Sequence, residues 1–158
     1  MGGMNEKREF LRHTLATVAY RASRAVTGAP DEFGSFNGAG RTPGQILAHM
    51  GDLFDWALSI SRGEGKWHAS EPLPWAEEKL RFFAALGAFD ALLDGQEQVQ
   101  ASLEQLFQGP VADALTHIGQ IAMLRRLADY RKKDEDFFCA SIAAGRVGVD
   151  QAAPVFEY

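Results

Sequence analysis

The sequence predicts an all-α fold, most simply a four-helix bundle carrying an additional C-terminal helix or extended tail. Two observations lead there. Apolar residues recur at three- and four-residue steps along most of the chain, the period of an amphipathic helix. No run of alternating β-branched residues reads as a half-buried strand. At 158 residues, with 46% hydrophobic and 23% charged residues, the chain has ordinary globular composition and enough length to bury a core without staples. One domain spanning residues 1–158 is expected, since no internal repeat, low-complexity tract or second composition zone divides it.

The first helix is expected from Asn5 to about Val26, its stripe formed by Phe10, Leu11, Leu15, Val18, Ala22 and Val26. GAPDEFGSFNGAGR, residues 28–41, is rich in glycine and has little periodicity, so it reads as a loop. Thr42 then supplies an N-cap oxygen, and Pro43 sits at the first helical position, where its missing N–H costs nothing. That second helix should reach about Arg62 and end at Gly63, followed by a loop over residues 63–74. WAEEKLRFFAALGAFDALL begins a third helical pattern, interrupted near Asp94-Gly95 before it resumes through Val99, Leu103 and Leu106. Gly109-Pro110 punctuates, and Pro110 begins a further helix to about Ala128. Residues 131–145 read as a last, weaker helix, and residues 145–158 as an extended tail packed on the surface.

Bulk properties exclude several classes. The formal net charge is −5, and basic residues are scattered apart from the run Arg131, Lys132, Lys133, so nucleic acid is not an expected partner. No stretch reaches the roughly 20 apolar residues of a membrane span, and MGGMNEKREFLRH lacks the apolar core of a signal peptide. A cytoplasmic protein is expected. Cys139, the only cysteine, excludes an intramolecular disulfide and a thiolate-rich zinc site. The acidic residues just before it should raise its thiol pKa, which argues against a nucleophile. No nucleophile elbow, Walker motif or dinucleotide-binding glycine motif is present.

The chemistry that the residues suggest is metal binding. Asp113 and His117 are four apart in ADALTHIGQIAMLRRLA, so on a helix both side chains stand on one face and reach one point. His49, within the apolar run of the second helix, could add a third donor, and two histidines with one carboxylate leave coordination positions open. A plain Asp113–His117 hydrogen bond, or Asp113 as a first-turn residue favouring the helix dipole, explains the same pair without a metal. Three residues after His49, Asp52 could ligate the ion or orient a ligand. Gln120, three residues after His117, could support that histidine. For Asp52 and Gln120 a solvated surface position is the simpler expectation, and for Trp56 a core position. Trp67 and His68 fall in a loop, where binding residues concentrate.

Two segments carry a family resemblance. TPGQILAHMGDLFDWA, followed roughly sixty residues later by LFQGPVADALTHIGQIAMLRRLA, resembles the DinB/YfiT-like proteins, four-helix bundles of metal-dependent enzymes. The resemblance extends from the first helix through about Ala128, and THIGQIAMLRR is similar to the family's H-x-x-x-H-R-G-Q stretch. By motif, His49 matches the histidine of the family's second helix and His117 the last of its pair. Asp113 stands where the family has its middle histidine, and Ile118 replaces the arginine that follows the pair. The resemblance implies a divalent ion (nickel, zinc, iron or manganese) held by His49, Asp113 and His117. It further implies an enzyme that transfers a low-molecular-weight thiol of the bacillithiol, glutathione or mycothiol type to an electrophilic small molecule. Asp52 is then the candidate catalytic residue, as an orienting group. A metal-dependent hydrolase would use the same ligands, whereas a non-catalytic helical binding domain would retain the fold with a degenerate site. The apolar stretch from Leu80 to Leu93 would suit a homodimer face, though core packing accounts for it equally.

Overall fold

A computed structural model of the chain describes residues 2–38 and 40–158. Helix α1 spans Gly2–Val26, α2 Pro43–Ser61 and α3 Trp75–Asp94; a short α4, Leu103–Leu106, leads through a π-helical turn, Phe107–Val111, into α5, Ala112–Leu127. Both α1 and α2 pack against α3 and α5, so the four long helices of the described residues enclose one continuous core. The fold is all-α as the periodicity predicts. Among the described residues the only extended pairing is an isolated bridge between Glu135 and Glu157. No described helix is long and apolar enough to cross a membrane.

The expected stripe on α1 is buried at Leu11, Leu15, Val18, Ala22 and Val26, but Phe10 is 70% exposed. Phe10 precedes Leu11, and the roughly 100° step between neighbouring residues leaves only one of them facing the core. The start of α2 follows its sequence signals. Thr42 Oγ1 accepts from the Gln45 amide at 3.2 Å, the Gln45 side chain accepts from the Thr42 amide at 2.9 Å, and Pro43 opens the helix. Its end is set by Gly63, whose φ of +80° reverses the chain at little cost to a glycine. The 28–41 segment, of which Ala39 lies outside the described residues, is more than a plain loop. Asp31–Ser35 forms a 3₁₀ turn that buries Phe33 edge-on against Trp75 and Tyr130, with ring centroids 5.5 and 6.1 Å away.

Gly109-Pro110 does not separate two helices, contrary to expectation. The helix begins earlier, at Leu103 with Ser102 as its N-cap, and passes through Pro110. In an α-helix the Pro110 ring would meet the Leu106 carbonyl and leave a hydrogen bond unmade; widening to a π turn accommodates both. Leu106 and Val111, five residues apart, are both buried across that turn. The stretch Leu80–Leu93 turns Phe82, Leu86, Phe89 and Leu93 into the core, leaving Leu80 as its one exposed large apolar residue.

Residues 131–145 are not the helix their composition suggested. The chain instead runs extended, and the bridge Glu135–Glu157 is flanked by Asp136 N to Phe156 O at 3.1 Å and Tyr158 N to Asp134 O at 3.0 Å. Only Phe137–Cys139 forms a 3₁₀ turn. The cause is Glu135, whose side chain is fully buried against α1, accepting from the Tyr20 hydroxyl and lying 3.0 Å from Arg24 Nε. A carboxylate drawn so deep into partners fixes the backbone on either side of it. The tail over residues 145–158 packs on the surface as expected, where Ser23 Oγ donates to the Val149 carbonyl at 2.6 Å.

Burial, and then the contact with Glu135, pushes the Tyr20 phenol from 10.0 up to about 12. A native pKa above the unfolded one means that the native state holds its proton longer. The contribution is therefore complete below pH 10 and is lost as pH rises to about 12. Urea unfolding across this window should show wild-type stability falling faster with pH than that of Tyr20→Phe. Parallel curves would contradict the assignment.

Candidate metal centre

Three elements build the site. His49 lies in the middle of α2, and Asp113 and His117 lie one turn apart at the start of α5. The loop of residues 63–74 brings Trp67 against His49. One donor atom from each of His49, Asp113 and His117 lies within 4.8 Å of the others, a group that could hold a metal ion. His49 Nε2 is 3.5 Å from Asp113 Oδ2, and His117 Nε2 is 3.4 Å from Asp113 Oδ1. The two imidazole rings meet edge to face with centroids 4.8 Å apart. Both carboxylate separations are too long for good N–H···O hydrogen bonds, whose usual range is about 2.7–3.2 Å. Each is close to the ~3.4 Å spacing of neighbouring donors about 2.1 Å from one ion, with the two histidines facing different oxygens of the carboxylate.

The carboxylate of Asp113 is open to solvent, with 46% of its side chain exposed. Burial therefore does not force a partner on it. Convergence with the histidines is what marks it. His117 is held from behind by Gln120, whose Oε1 lies 2.7 Å from Nδ1. With a proton on Nδ1 donated to that oxygen, the Nε2 lone pair faces Asp113 and His49.

Asp52 is neither on the surface nor part of the three-residue group. Its carboxylate is buried, accepts from the Ser70 amide at 2.8 Å and Ser70 Oγ at 2.7 Å, and pairs with Arg81 of α3. Arg81 also donates to Glu78 at 2.8 Å and to the Ala48 carbonyl at 3.2 Å. It crosses α2 at Gly51, where a Cβ would stand 3.1 Å from the guanidinium. Burial lowers the Arg81 pKa, but the bonds to Glu78 and Asp52 outweigh it and hold the guanidinium above its ordinary value. This network ties the 63–74 loop to both helices, and the loop carries Trp67 onto His49, with ring centroids 5.7 Å apart. Trp56 is half-buried and stands edge-on to Trp67 at 5.8 Å, not in the core. His68 is exposed, outside the group.

Glu78 and Arg81 escaped the sequence reading although a signal existed. Glu78 lies three residues after Trp75 and four before Phe82, on the apolar stripe itself, where a carboxylate requires a partner. Arg81 follows at the i+3 position. Next to His117 a cavity of about 610 Å³ opens, lined by Ile46, Met123, Leu124 and Leu127 together with the polar Arg41, Thr116 and Gln120. Cys139 is exposed, and its contact with Asp136 raises the thiol pKa as the preceding acidic residues implied. Compared with family models, curated proteins and solved structures, the chain matches none of them.

Replacing Asp52 leaves Arg81 short of a partner in a partly desolvated position. Asp52→Ala should cost about 3 kcal/mol of unfolding free energy and shift the Trp67 emission, because the loop loses its anchor. His49→Ala, at a partly exposed position, should cost no more than about 1 kcal/mol. Equal losses in urea titrations would show that Asp52 does not hold the loop.

Proposed function

We propose that this chain is a metal-dependent enzyme of the DinB/YfiT-like kind, transferring a low-molecular-weight thiol to an electrophilic small molecule. The observation that carries the metal reading is the convergence of His49, Asp113 and His117 at ligand spacing without hydrogen bonds joining them. The thiol reading rests on the two sequence segments that resemble that family. The donor set fits nickel, zinc, iron or manganese, and one carboxylate among two imidazoles leans toward the harder of these ions. A bound divalent ion supplies Lewis acidity that favours thiolate over thiol.

The chain's own residues do the rest. Gln120 fixes the His117 ring, and Trp67 screens the outer side of His49 from water. The adjoining cavity offers aliphatic walls for the apolar part of an electrophile, with Arg41 in its lining for a charged end. Asp52 is a positioning residue in this scheme, acting through Ser70 and Arg81 on the loop that bears Trp67.

Elemental analysis of tag-free protein should find near-stoichiometric divalent metal that disappears in His49→Ala and His117→Ala. Asp113→His should retain or tighten binding, since imidazole replaces one donor with another. Gln120→Leu should weaken it by about tenfold while leaving the fold intact. Metal-loaded protein incubated with glutathione, bacillithiol or mycothiol and 1-chloro-2,4-dinitrobenzene should form the thioether adduct, with release of chloride, faster than the thiol does alone or with metal-free protein, read by mass spectrometry over time. A protein that takes up no divalent ion would refute the enzyme reading and leave a helical binding domain. Metal uptake with no acceleration over the uncatalysed reaction for any of these thiols would refute the transferase reading alone.

A further inference from the structure

On α5 the positions Leu115, Ile118, Gly119 and Ala122 face away from Asp113 and His117, by the helical step between them. There a second concavity of about 380 Å³ opens between α1, α5 and the extended segment after α5. Its floor is apolar, formed by Leu115, Ile118 and Ala122 of α5 with Ala25 of α1, and the Phe137 ring makes one wall. The remainder is basic. Helix α1 contributes Arg21 and Arg24, α5 contributes Arg125 and Arg126, and Arg131, Lys132 and Lys133 follow. Among the described residues, seven basic side chains thus meet three carboxylates, Asp134 and Glu135 of the lining and Glu157 beside Arg24, in a chain of net charge −5.

Internal partners leave this excess standing. Arg24 pairs with Glu135 at 3.0 Å and reaches Glu157 at 2.7 Å. Arg126 and Arg131 share the single Asp134 carboxylate, at 2.8 and 3.0 Å, and both guanidinium groups are exposed. Among the described residues Arg125 donates only to main-chain carbonyls, among them Ala25 at 2.9 Å and Tyr130 at 2.7 Å, and pairs with no carboxylate. Lys132 donates to the Thr27 hydroxyl at 3.0 Å. The Arg21 guanidinium lies over the Phe137 ring, 3.6 Å from its centroid, with no carboxylate partner among the described residues. Burial, then Arg125 and Arg24, hold the Lys132 ammonium below its ordinary pKa, the response expected of a cation in a positive field.

We propose that this cleft binds a small anion with a phosphate-like oxyanion head on an apolar body. Forked guanidinium groups present paired N–H donors that match such a head. The floor of Leu115, Ile118 and Ala122 excludes water from the other end of the ligand. The volume lies at the lower end of small-molecule sites, which span about 300–1,000 Å³. Confinement of the excess charge to one cleft of an acidic protein disfavours a long polyanion, which would need a basic track.

Isothermal titration of metal-free protein with phenyl phosphate, inorganic phosphate and phenol tests this. Phenyl phosphate should bind at one site per chain, more tightly than inorganic phosphate, with phenol silent. Raising salt from about 50 to about 500 mM should weaken binding several-fold. Arg21→Gln and Lys133→Gln should each weaken it by about tenfold; Lys133 is exposed, so its variant should fold normally. Lys79→Gln on α3, and His49→Ala at the metal centre, should leave binding unchanged. Absence of one-site binding, or equal weakening by Lys79→Gln, would overturn the proposal. Equal affinity for phenyl and inorganic phosphate would overturn the apolar body. Loss of binding in His49→Ala would transfer the anion to the metal centre and overturn it as well.

Discussion

The structure depends on one half-buried guanidinium. Arg81 leaves α3, crosses α2 at Gly51 and meets Asp52, Glu78 and the Ala48 carbonyl, while Asp52 in turn holds Ser70. Two helices and a loop are therefore joined by charge-assisted bonds in a partly desolvated region, where the buried carboxylates of Asp52 and Glu78 left alone would carry a large desolvation penalty. The joint lies one turn from His49. It decides how the loop bearing Trp67 closes over that histidine, and so couples the packing of α2 on α3 to the shape of the candidate metal centre.

Helix α5 divides the molecule's chemistry between its faces. One side presents Asp113, His117 and Gln120 to α2; the other lines the basic cleft against α1. Between them, Ala114, Ile118, Ile121 and Leu124 anchor the helix in the core, which keeps either face from rotating. The π turn before it sets the phase of both faces. An extra residue accommodated at Pro110 turns everything downstream relative to Leu103–Leu106, and the buried positions Leu106 and Val111 lie on either side of it. A second anchor, Arg125, binds the carbonyls that end α1, so the C-terminal ends of α1 and α5 are held together where the tail crosses them.

Local signals were legible wherever their partner lay within a few residues. Thr42 and Pro43 opened α2, Gly63 closed it, and the spacing of Asp113 and His117 placed both on one face. Signals whose partner was distant were misread. Residues 131–145 have helical composition, yet Tyr20, 115 residues before Glu135, draws its carboxylate inward and Phe156 takes the Asp136 amide. For Asp52 a solvated surface position is the simpler expectation from sequence, and the structure buries it. Arg81, 29 residues on, pairs with it.

Periodicity, caps and the i,i+4 pair therefore determined the helices, their all-α class and two members of the candidate ligand set, because each depends on geometry internal to one helix. That His49 joins that pair was an expectation from motif. The approach of its Nε2 to 3.5 Å from Asp113 is a property of how α2 packs on α5. Arg21 and Arg24 lie about a hundred residues from Arg125 and Arg126 in sequence, and the run Arg131, Lys132, Lys133 is too short to read as a binding footprint. Only the packing of α1 on α5, with the tail folded back across both, gathered them around one cleft, because bringing distant charges together takes the burial of a whole core to offset their repulsion.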